Sequence, residues 1–405
     1  MKAVAITGMG VVSSLGLELD ELFGKLDRAF VQVEPAPWVD EYDVGHSWAS
    51  MVQEFEPTDW MSARVAAGTD PFAQYAIAAA VKAMESAGVD EPDPLRTAVV
   101  VGTSMAGVET LADSQRGLDS VGIEGVSRKF QIQVWPNMAA GQIALHWRLH
   151  GPLLTICTAC ASALDAVGIA ARMIEDGTVD LAIAGGCDRV RSEVAAIAAI
   201  RYGMAEDQPD PYRACRPFDI DRTGVMTGEG AGMVVLERAA DALARGAQVH
   251  ATVRGYANVS DGFHPSSPDP TGQWERRAME LAQQSAGTSA EDIDAVIAHG
   301  TGTPVGDTAE MRAINDLFGR DDLAVASIKG HLGHTAGAAG VMNLLAAIHS
   351  MDNGAVIPTA GTTEVDPEAR FHVVTSDPYA TRVDTVQVNA FGFGGQDASM
   401  VVSRG

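Results

Sequence analysis

Short apolar runs alternate with longer stretches of helical spacing along almost the whole chain, the pattern of an α/β fold in which helices cover a sheet. The first run, Ala3 to Thr7, reads as a strand that turns through Gly8 and Gly10 into Val11, Val12 and Leu15. Residues from about Phe30 to Ser62 carry Pro35, Pro37, Asp40, Asp43 and Pro57 without periodicity and read as a surface excursion. From Asp70 to Ala87 the apolar positions Phe72, Tyr75, Ala76, Ala79 and Ala83 predict a helix stopped by Gly88. Thr97 to Val101 predicts a strand ending at Gly102, whereas Gly107 to Phe130 is polar and irregular, a stretch suited to contacting a partner or covering a pocket. Trp135-Pro136-Asn137 opens a further helix, and Leu181 to Ala184 is another buried strand. The glycine-rich run Gly228 to Gly232 leads into a strand; it lacks the G-x-x-x-x-G-K-[ST] signature and runs loop to strand, the reverse of a nucleotide fingerprint. Near His250 the pattern begins again, with a strand at Thr252 to Tyr256, a helix at Trp274 to Ala286 and a strand at Ala295 to Ala298. Two similar βα halves, 1–249 and 250–405, are therefore expected.

Composition narrows the class. With 405 residues, 46% of them hydrophobic, and 42 glycines, the chain can bury a large core with close helix–sheet packing. A formal charge of −25 argues against nucleic acid or an anionic membrane as a partner, because binding phosphates needs a basic surface. No uninterrupted apolar run reaches the ~20 residues that cross a bilayer. The start, Met1 to Gly10, reads as strand and turn rather than as a signal peptide, so a soluble cytoplasmic protein is expected. Four cysteines are too few and too scattered for a disulfide framework. Cys157-x-x-Cys160 has no second pair at zinc spacing, and neither a metal site nor a redox dithiol is expected there.

Candidate chemistry centres on Cys160. The run Leu153, Leu154 and Ile156 is joined through it to an alanine-rich segment with helical spacing (Leu164, Val167, Ala171, Ile174), so a strand delivers the thiol to a helix start. Aligned peptide dipoles and free N–H groups there favour a thiolate and lower its pKa, the setting of an activated nucleophile. A small buried cysteine at a helix start is also ordinary packing, and what lies downstream decides. His299-Gly300-Thr301-Gly302-Thr303 follows the strand Ala295 to Ala298, at the carboxyl end where open α/β sheets place their sites. For His299 alone, a histidine that fills a turn is the favoured reading. A second motif, Lys329-Gly330-His331-Leu332-Gly333-His334, follows the apolar run Ala324 to Ile328 and enters an apolar helix; His331 reads as structural. In Asn389-Ala390-Phe391-Gly392-Phe393-Gly394-Gly395 the glycines permit dihedrals that leave N–H groups available to an oxyanion.

In order and spacing, Thr158-Ala159-Cys160, the His299 to Thr303 motif, Lys329 with His334, and Phe391 to Gly395 resemble the elongating β-ketoacyl-acyl carrier protein synthases of the thiolase superfamily, over essentially the whole chain. Arg216-Pro217-Phe218-Asp219 and Gly228 to Gly232 also look like landmarks of that family. The resemblance implies a thiolase-like fold of two βα halves in five layers, α-β-α-β-α, normally dimeric. It implies that Cys160 carries the acyl chain and that neutral His299 and His334 donate hydrogen bonds to the enolate formed as malonyl-acyl carrier protein loses carbon dioxide. Lys329 would support the second histidine. Backbone N–H groups of Cys160 and Phe393 would form the oxyanion hole, with Phe393 as a gate. Thr301 and Thr303 would bind the pantetheine arm, with Asp307 and Glu310 behind them. No cofactor bound by the enzyme itself is implied, because the substrates ride on the phosphopantetheine of acyl carrier protein. That acidic partner calls for a basic patch, for which Arg64, Arg128, Lys129, Arg213 and Arg216 are candidates.

The chain departs from housekeeping fatty-acid enzymes at three places near the pocket. Asn343 stands where a glutamate is frequent, Val225 where a phenylalanine is common, and Gln396-Asp397 where Thr-Asn is usual. These departures favour a type II polyketide or specialised acyl-chain pathway over primary fatty-acid elongation. A non-catalytic subunit like a chain-length factor is the main rival, and a heterodimer with such a subunit the alternative to a homodimer. Degradative thiolases use a second cysteine near the C-terminus, and here none follows Cys215.

Overall fold

The structure, a computed structural model, describes residues 3–405; Met1 and Lys2 lie outside it. β1 (Val4–Ser13) is buried along its whole length. Gly8 and Gly10 do not turn the chain, contrary to the expectation; a bulge between Ile6 and Gly8 is the only irregularity in its pairing with the neighbouring strand Gly230–Arg238. They are glycines because a helix crosses directly over them, and a Cβ would lie 2.1 Å from the carbonyl oxygens of Ala83 and Ala79 respectively. A short helix that the pattern did not flag, α1 (Leu19–Leu26), starts where the Glu21 carboxylate accepts the N–H groups of Leu17 and Glu18. The crossing helix is α2 (Pro71–Ala87), capped by the Asp70 carboxylate on the Phe72 N–H and ended by Gly88 in the left-handed region.

The main further elements of the first half are β2 (Thr97–Gly102), α3 (Val108–Val121), α4 (Met138–Trp147), β3 (Leu153–Ile156), α5 (Ser162–Glu175), β4 (Leu181–Asp188) and β5 (Gly230–Arg238). The stretch expected to be irregular is thus mostly the helix α3, which leaves Leu111, Leu118 and Val121 exposed. The second half comprises β6 (Ala251–Ser260), α6 (Gln273–Ala286), β7 (Ala295–Ile297), α7 (Pro304–Phe318), β8 (Ala324–Ala326), α8 (Ala339–Asn353), β9 (His372–Val373), β10 (Thr385–Gly392) and β11 (Gln396–Arg404).

The strands run β3-β2-β4-β5-β1 in the first half and β9-β8-β7-β10-β11-β6 in the second. Both halves repeat one pairing scheme: the opening strand is antiparallel to the closing one (β1 to β5, β6 to β11), and that strand is antiparallel to the strand before it (β4, β10). Two parallel partners follow in each, β2 and β3 or β7 and β8. The halves meet where β1 pairs with β6 from Val4–Val253 to Ile6–Ala251.

Helices α2 and α4 cover the outer face of the first half-sheet, α6 and α7 that of the second, and α5 packs against α8 between the two. Five α-β-α-β-α layers result. The central layer demands helices that are apolar all round, and α8 is buried continuously from Ala339 to Met351. α5 matches it with Leu164, Val167, Ala170 and Ile174, fully buried in the core the halves share. Among the described residues no helix is long and apolar enough to cross a membrane.

Candidate active site

Both central helices begin at one end of the molecule, and each presents a site side chain there. Cys160 lies in the tight turn Ala159–Ala161 between β3 and α5. Ala159 is held at φ 48°, a region costly for a residue with a Cβ, so the turn needs bracing. Ser162 supplies it, accepting the Thr158 N–H at 2.9 Å and donating to the Ala159 carbonyl at 2.6 Å. Thr158 Oγ1 donates to buried Asp165 at 2.5 Å, and Tyr256 donates to the same carboxylate at 2.6 Å.

His334 arrives just before α8 and places Nε2 3.0 Å from Cys160 Sγ. The Ala336 N–H points at its Nδ1 at 3.2 Å, so the neutral ring carries its proton on Nε2 and presents it to the sulfur. His299 follows β7, its ring 5.5 Å from that of His334 between centroids. Sγ and one nitrogen of each ring lie within 4.8 Å of one another. Lys329 Nζ is 3.3 Å from Nδ1 of His299 and also donates to the His299 carbonyl. His299 is therefore a second neutral ring with its proton on Nε2. This corrects the expectation that Lys329 supports the other histidine: β7 and β8 are adjacent parallel strands, so the residues just beyond them, His299 and Lys329, lie side by side.

Burial sets the electrostatics. It pushes His299 well below the usual imidazole range, helped by the Lys329 charge, and takes His334 down to about 3, so both rings are neutral at physiological pH. Lys329 is lowered by burial as well, with Glu310 acting against that. The expectation for Cys160 is also corrected: burial raises its thiol to about 11, against the lowering effects of Lys329 and of the Phe393 and Cys160 N–H groups. The N–H groups of the turn do favour the thiolate, but its desolvation outweighs them.

Around these groups the backbone is cradled by carboxylates. Glu310 accepts the N–H groups of His299 and Gly300 at 2.8 and 2.7 Å, and Asp307 accepts those of Phe218, Thr301 and Gly302 at 2.8, 2.9 and 3.0 Å. The Thr301 and Thr303 hydroxyls are half-buried and 2.8 Å apart. Phe393 is 44% exposed at the rim while its N–H faces Sγ. The neighbouring Gly392 must be glycine, since a Cβ would lie 2.8 Å from the Thr158 carbonyl and 3.1 Å from the Cys160 nitrogen. Asn343 donates to the Ala298 and Asn389 carbonyls at 3.0 and 2.9 Å, and its own carbonyl oxygen has no hydrogen-bond partner among the described residues.

The five basic residues do not form one patch. Arg216 is 3% exposed and donates to the Asp221 carbonyl, which corrects its assignment to docking. Arg213 donates to Thr363 at 2.9 Å and faces Asp219 and Asp221. Arg64, Arg128 and Lys129 are exposed, with Lys129 Nζ donating to the Ala67 carbonyl beside Arg64. Sequence reasoning passed over Asp165 and Asp188 and gave Asn389 no role of its own. The internal echo of Thr158-Ala159-Cys160-Ala161-Ser162 in Thr335-Ala336-Gly337-Ala338-Ala339 was the signal that could have led to Asp188, which binds the second of these turns.

Among the described residues, Cys160, His299 and His334 are the His, Cys, Asp or Glu side chains close enough to share a metal ion. They fit one poorly, because the Lys329 ammonium sits against His299 and would repel a cation. The arrangement suits a covalent acyl intermediate with two neutral donors aimed at negative charge formed beside it.

Comparison with known proteins agrees with this geometry. Residues 1–242 match the family model for the N-terminal domain of beta-ketoacyl synthase, and residues 250–363 that for its C-terminal domain. The 3-oxoacyl-acyl-carrier-protein synthase 2 of Rhizobium meliloti (strain 1021) is 33% identical, covering 100% of this chain and 99% of its own. Among solved structures, the ishigamide ketosynthase/chain length factor superposes with a TM-score of 0.94 at 33% identity, covering 100% of this chain and 99% of that one. A beta-ketoacyl synthase from Burkholderia phymatum STM815 superposes with a TM-score of 0.93 at 33% identity over 100% of both chains.

Proposed function

The chain belongs to the beta-ketoacyl synthase family, and from that premise we propose that it condenses an enzyme-bound acyl group with malonyl-acyl carrier protein to give 3-oxoacyl-acyl carrier protein. The observation that carries this reading is the convergence of Cys160 Sγ with two imidazoles whose neighbours hold both protons on Nε2.

Each step uses a group in place. Cys160 Sγ bonds to the thioester carbonyl carbon, the N–H groups of Cys160 and Phe393 receive the oxyanion, and the carbon–sulfur bond to pantetheine breaks, with the thiol proton leaving on the pantetheine sulfur. His334 does not take that proton, since its Nε2 already carries one. Malonyl thioester then enters beside Thr301 and Thr303. Its carbon–carboxylate bond breaks, carbon dioxide departs, and the electron pair becomes an enolate whose oxygen receives the Nε2–H groups of His299 and His334. Each such donor is worth ~10²–10³ in rate when aimed at developing charge. The enolate carbon bonds to the acyl carbonyl, and collapse of that intermediate expels the Cys160 thiolate.

The substrates arrive on acyl carrier protein in the cytoplasm, docking at Arg64, Arg128 and Lys129, and the enzyme needs no bound cofactor of its own. It works as a homodimer or with a chain-length-factor-like subunit. Support for the dimer comes from β3, the last strand of the sheet, where Leu153 is 47% exposed along an uncovered edge, and from the apolar side chains on α3. Asn343, Val225 and Gln396-Asp397 favour a polyketide or specialised acyl-chain pathway over primary elongation. The complete set of Cys160, His299 and His334 counts against an inert partner subunit.

Intact-mass measurement after incubation with a panel of acyl-carrier thioesters tests this. A mass increase equal to the acyl group, absent in Cys160→Ala, is the expected result; no adduct with any donor would defeat the proposal.

A further inference from the structure

The turns that open the two central helices are copies of one another. Ala159 and Ala336 are held at φ 48° and 49°, and the residues that lead into the helices, Ala161 and Ala338, share φ −83° with ψ of −10° and −11°. Cys160 and Gly337 occupy the same place in the copies. The Cys160 N–H faces the reacting centre, whereas the Gly337 N–H is taken by a carboxylate, donating to Asp188 Oδ2 at 2.6 Å. Asp188 ends β4 with no exposure to solvent. It also accepts the Thr103 hydroxyl at 2.7 Å, the Ser104 N–H and hydroxyl both at 2.8 Å, and the Met105 and Ala106 N–H groups both at 3.1 Å. These donors offset the burial of the carboxylate and at the same time tie two segments, 103–106 and the Gly337 turn, to one side chain. The Thr103 carbonyl in turn lies 3.5 Å from Ser162 Oγ, the hydroxyl that braces the Cys160 turn.

The Gly337 turn lies one peptide beyond the Ala336 N–H that sets the tautomer of His334. We propose that Asp188 is a positioning residue for condensation: by holding the Gly337 N–H it keeps the Ala336 N–H on Nδ1 of His334 and so keeps that ring's proton on Nε2, facing the substrate. In effect an internal carboxylate fills the oxyanion position of the second, non-catalytic turn. Gly337 must stay glycine for this contact, since a Cβ would lie 2.5 Å from Asp188 Oδ2 and 2.6 Å from the Ser104 nitrogen. The inference rests on the condensation reading for its consequence, but not for its first readout, which requires no turnover.

That readout is nitrogen NMR of full-length protein labelled with ¹⁵N-histidine and ¹⁵N-glycine, His334 being assigned by its loss in His334→Gln and the Gly337 amide by its loss in Gly337→Ala. In the wild type, Nε2 of His334 is expected to be protonated and Nδ1 bare, with the Gly337 amide protected from hydrogen exchange; a proton on Nδ1 or a freely exchanging Gly337 amide overturns the proposal, even if no variant folds. Asp188→Asn and Gly337→Ala are expected to mix the two tautomers and to cut condensation by about 10²-fold, the worth of one such donor, while acyl loading of Cys160 falls far less. Ser104→Ala, which keeps the Gly337 contact, is expected to lower Tm and leave the tautomer alone. A folded Asp188→Asn or Gly337→Ala that keeps the Nε2 tautomer, or that loses loading and condensation by the same factor, refutes the positioning role. If the wild type fails to condense while His334 shows the expected tautomer, it is the functional reading that falls.

Discussion

Burial pushes Cys160 up to about 11, so the resting enzyme holds a thiol, and its reactivity toward iodoacetamide should climb about tenfold per pH unit from about pH 7 to pH 10. A plateau below about pH 9 would contradict the dominance of desolvation over the helix start. Lys329→Met removes the cation that draws the thiol down and should slow alkylation at any pH in that window, with intact-mass kinetics as the check. The residues that the structure gathers at the candidate site were legible in the sequence: Cys160, His299 and His334 stand in short motifs rich in glycines and hydroxyls. What was not legible was direction. Which histidine Lys329 meets depends on β7 and β8 being neighbours, and whether a thiol is raised or lowered depends on what surrounds it. Neither follows from local spacing.

At the scale of elements, periodicity located α2, α4 and α6 because their apolar faces pack on a sheet, and it failed where an element has another job. α3 is polar on average and leaves Leu111, Leu118 and Val121 exposed rather than packed on a sheet, so its composition concealed a helix. Gly8 and Gly10 read as a turn because glycine is the usual turn residue, yet here it lets α2 lie against β1. Gly10→Ala should therefore destabilise the protein by ~1–3 kcal/mol, as overpacking does, measured as a drop in urea midpoint. A wild-type midpoint would mean that strand and helix are further apart than described. The repeated turn before α5 and α8 is one local structure in two settings, one N–H turned toward the Cys160 sulfur and one bound by Asp188.

Across the whole molecule, duplication explains why the site lies where it does. Each half delivers one central helix to the same end, one bringing Cys160 and the other His334, and neither half alone holds the Cys160, His299 and His334 cluster. The repeat near residue 250 was visible as a pattern, but not that the helices α5 and α8 pack together between the sheets. Surface function follows a different logic. Reversing the charges of Arg64, Arg128 and Lys129 should raise KM for carrier-bound acyl groups and flatten its salt dependence, with little change in kcat; unchanged kinetics would remove these residues from docking. Arg216→Glu should instead cost stability, because its guanidinium is buried. The central claim is a division of labour in which Cys160 carries the acyl group and the histidines drive the malonyl step. Its most direct test is an intact-mass time course of His299→Ala, first with acyl-carrier thioester and then with malonyl-carrier thioester. The account predicts that the acyl adduct on Cys160 forms and persists after malonyl is added, where the wild type discharges it as 3-oxoacyl product; discharge at the wild-type rate would contradict it.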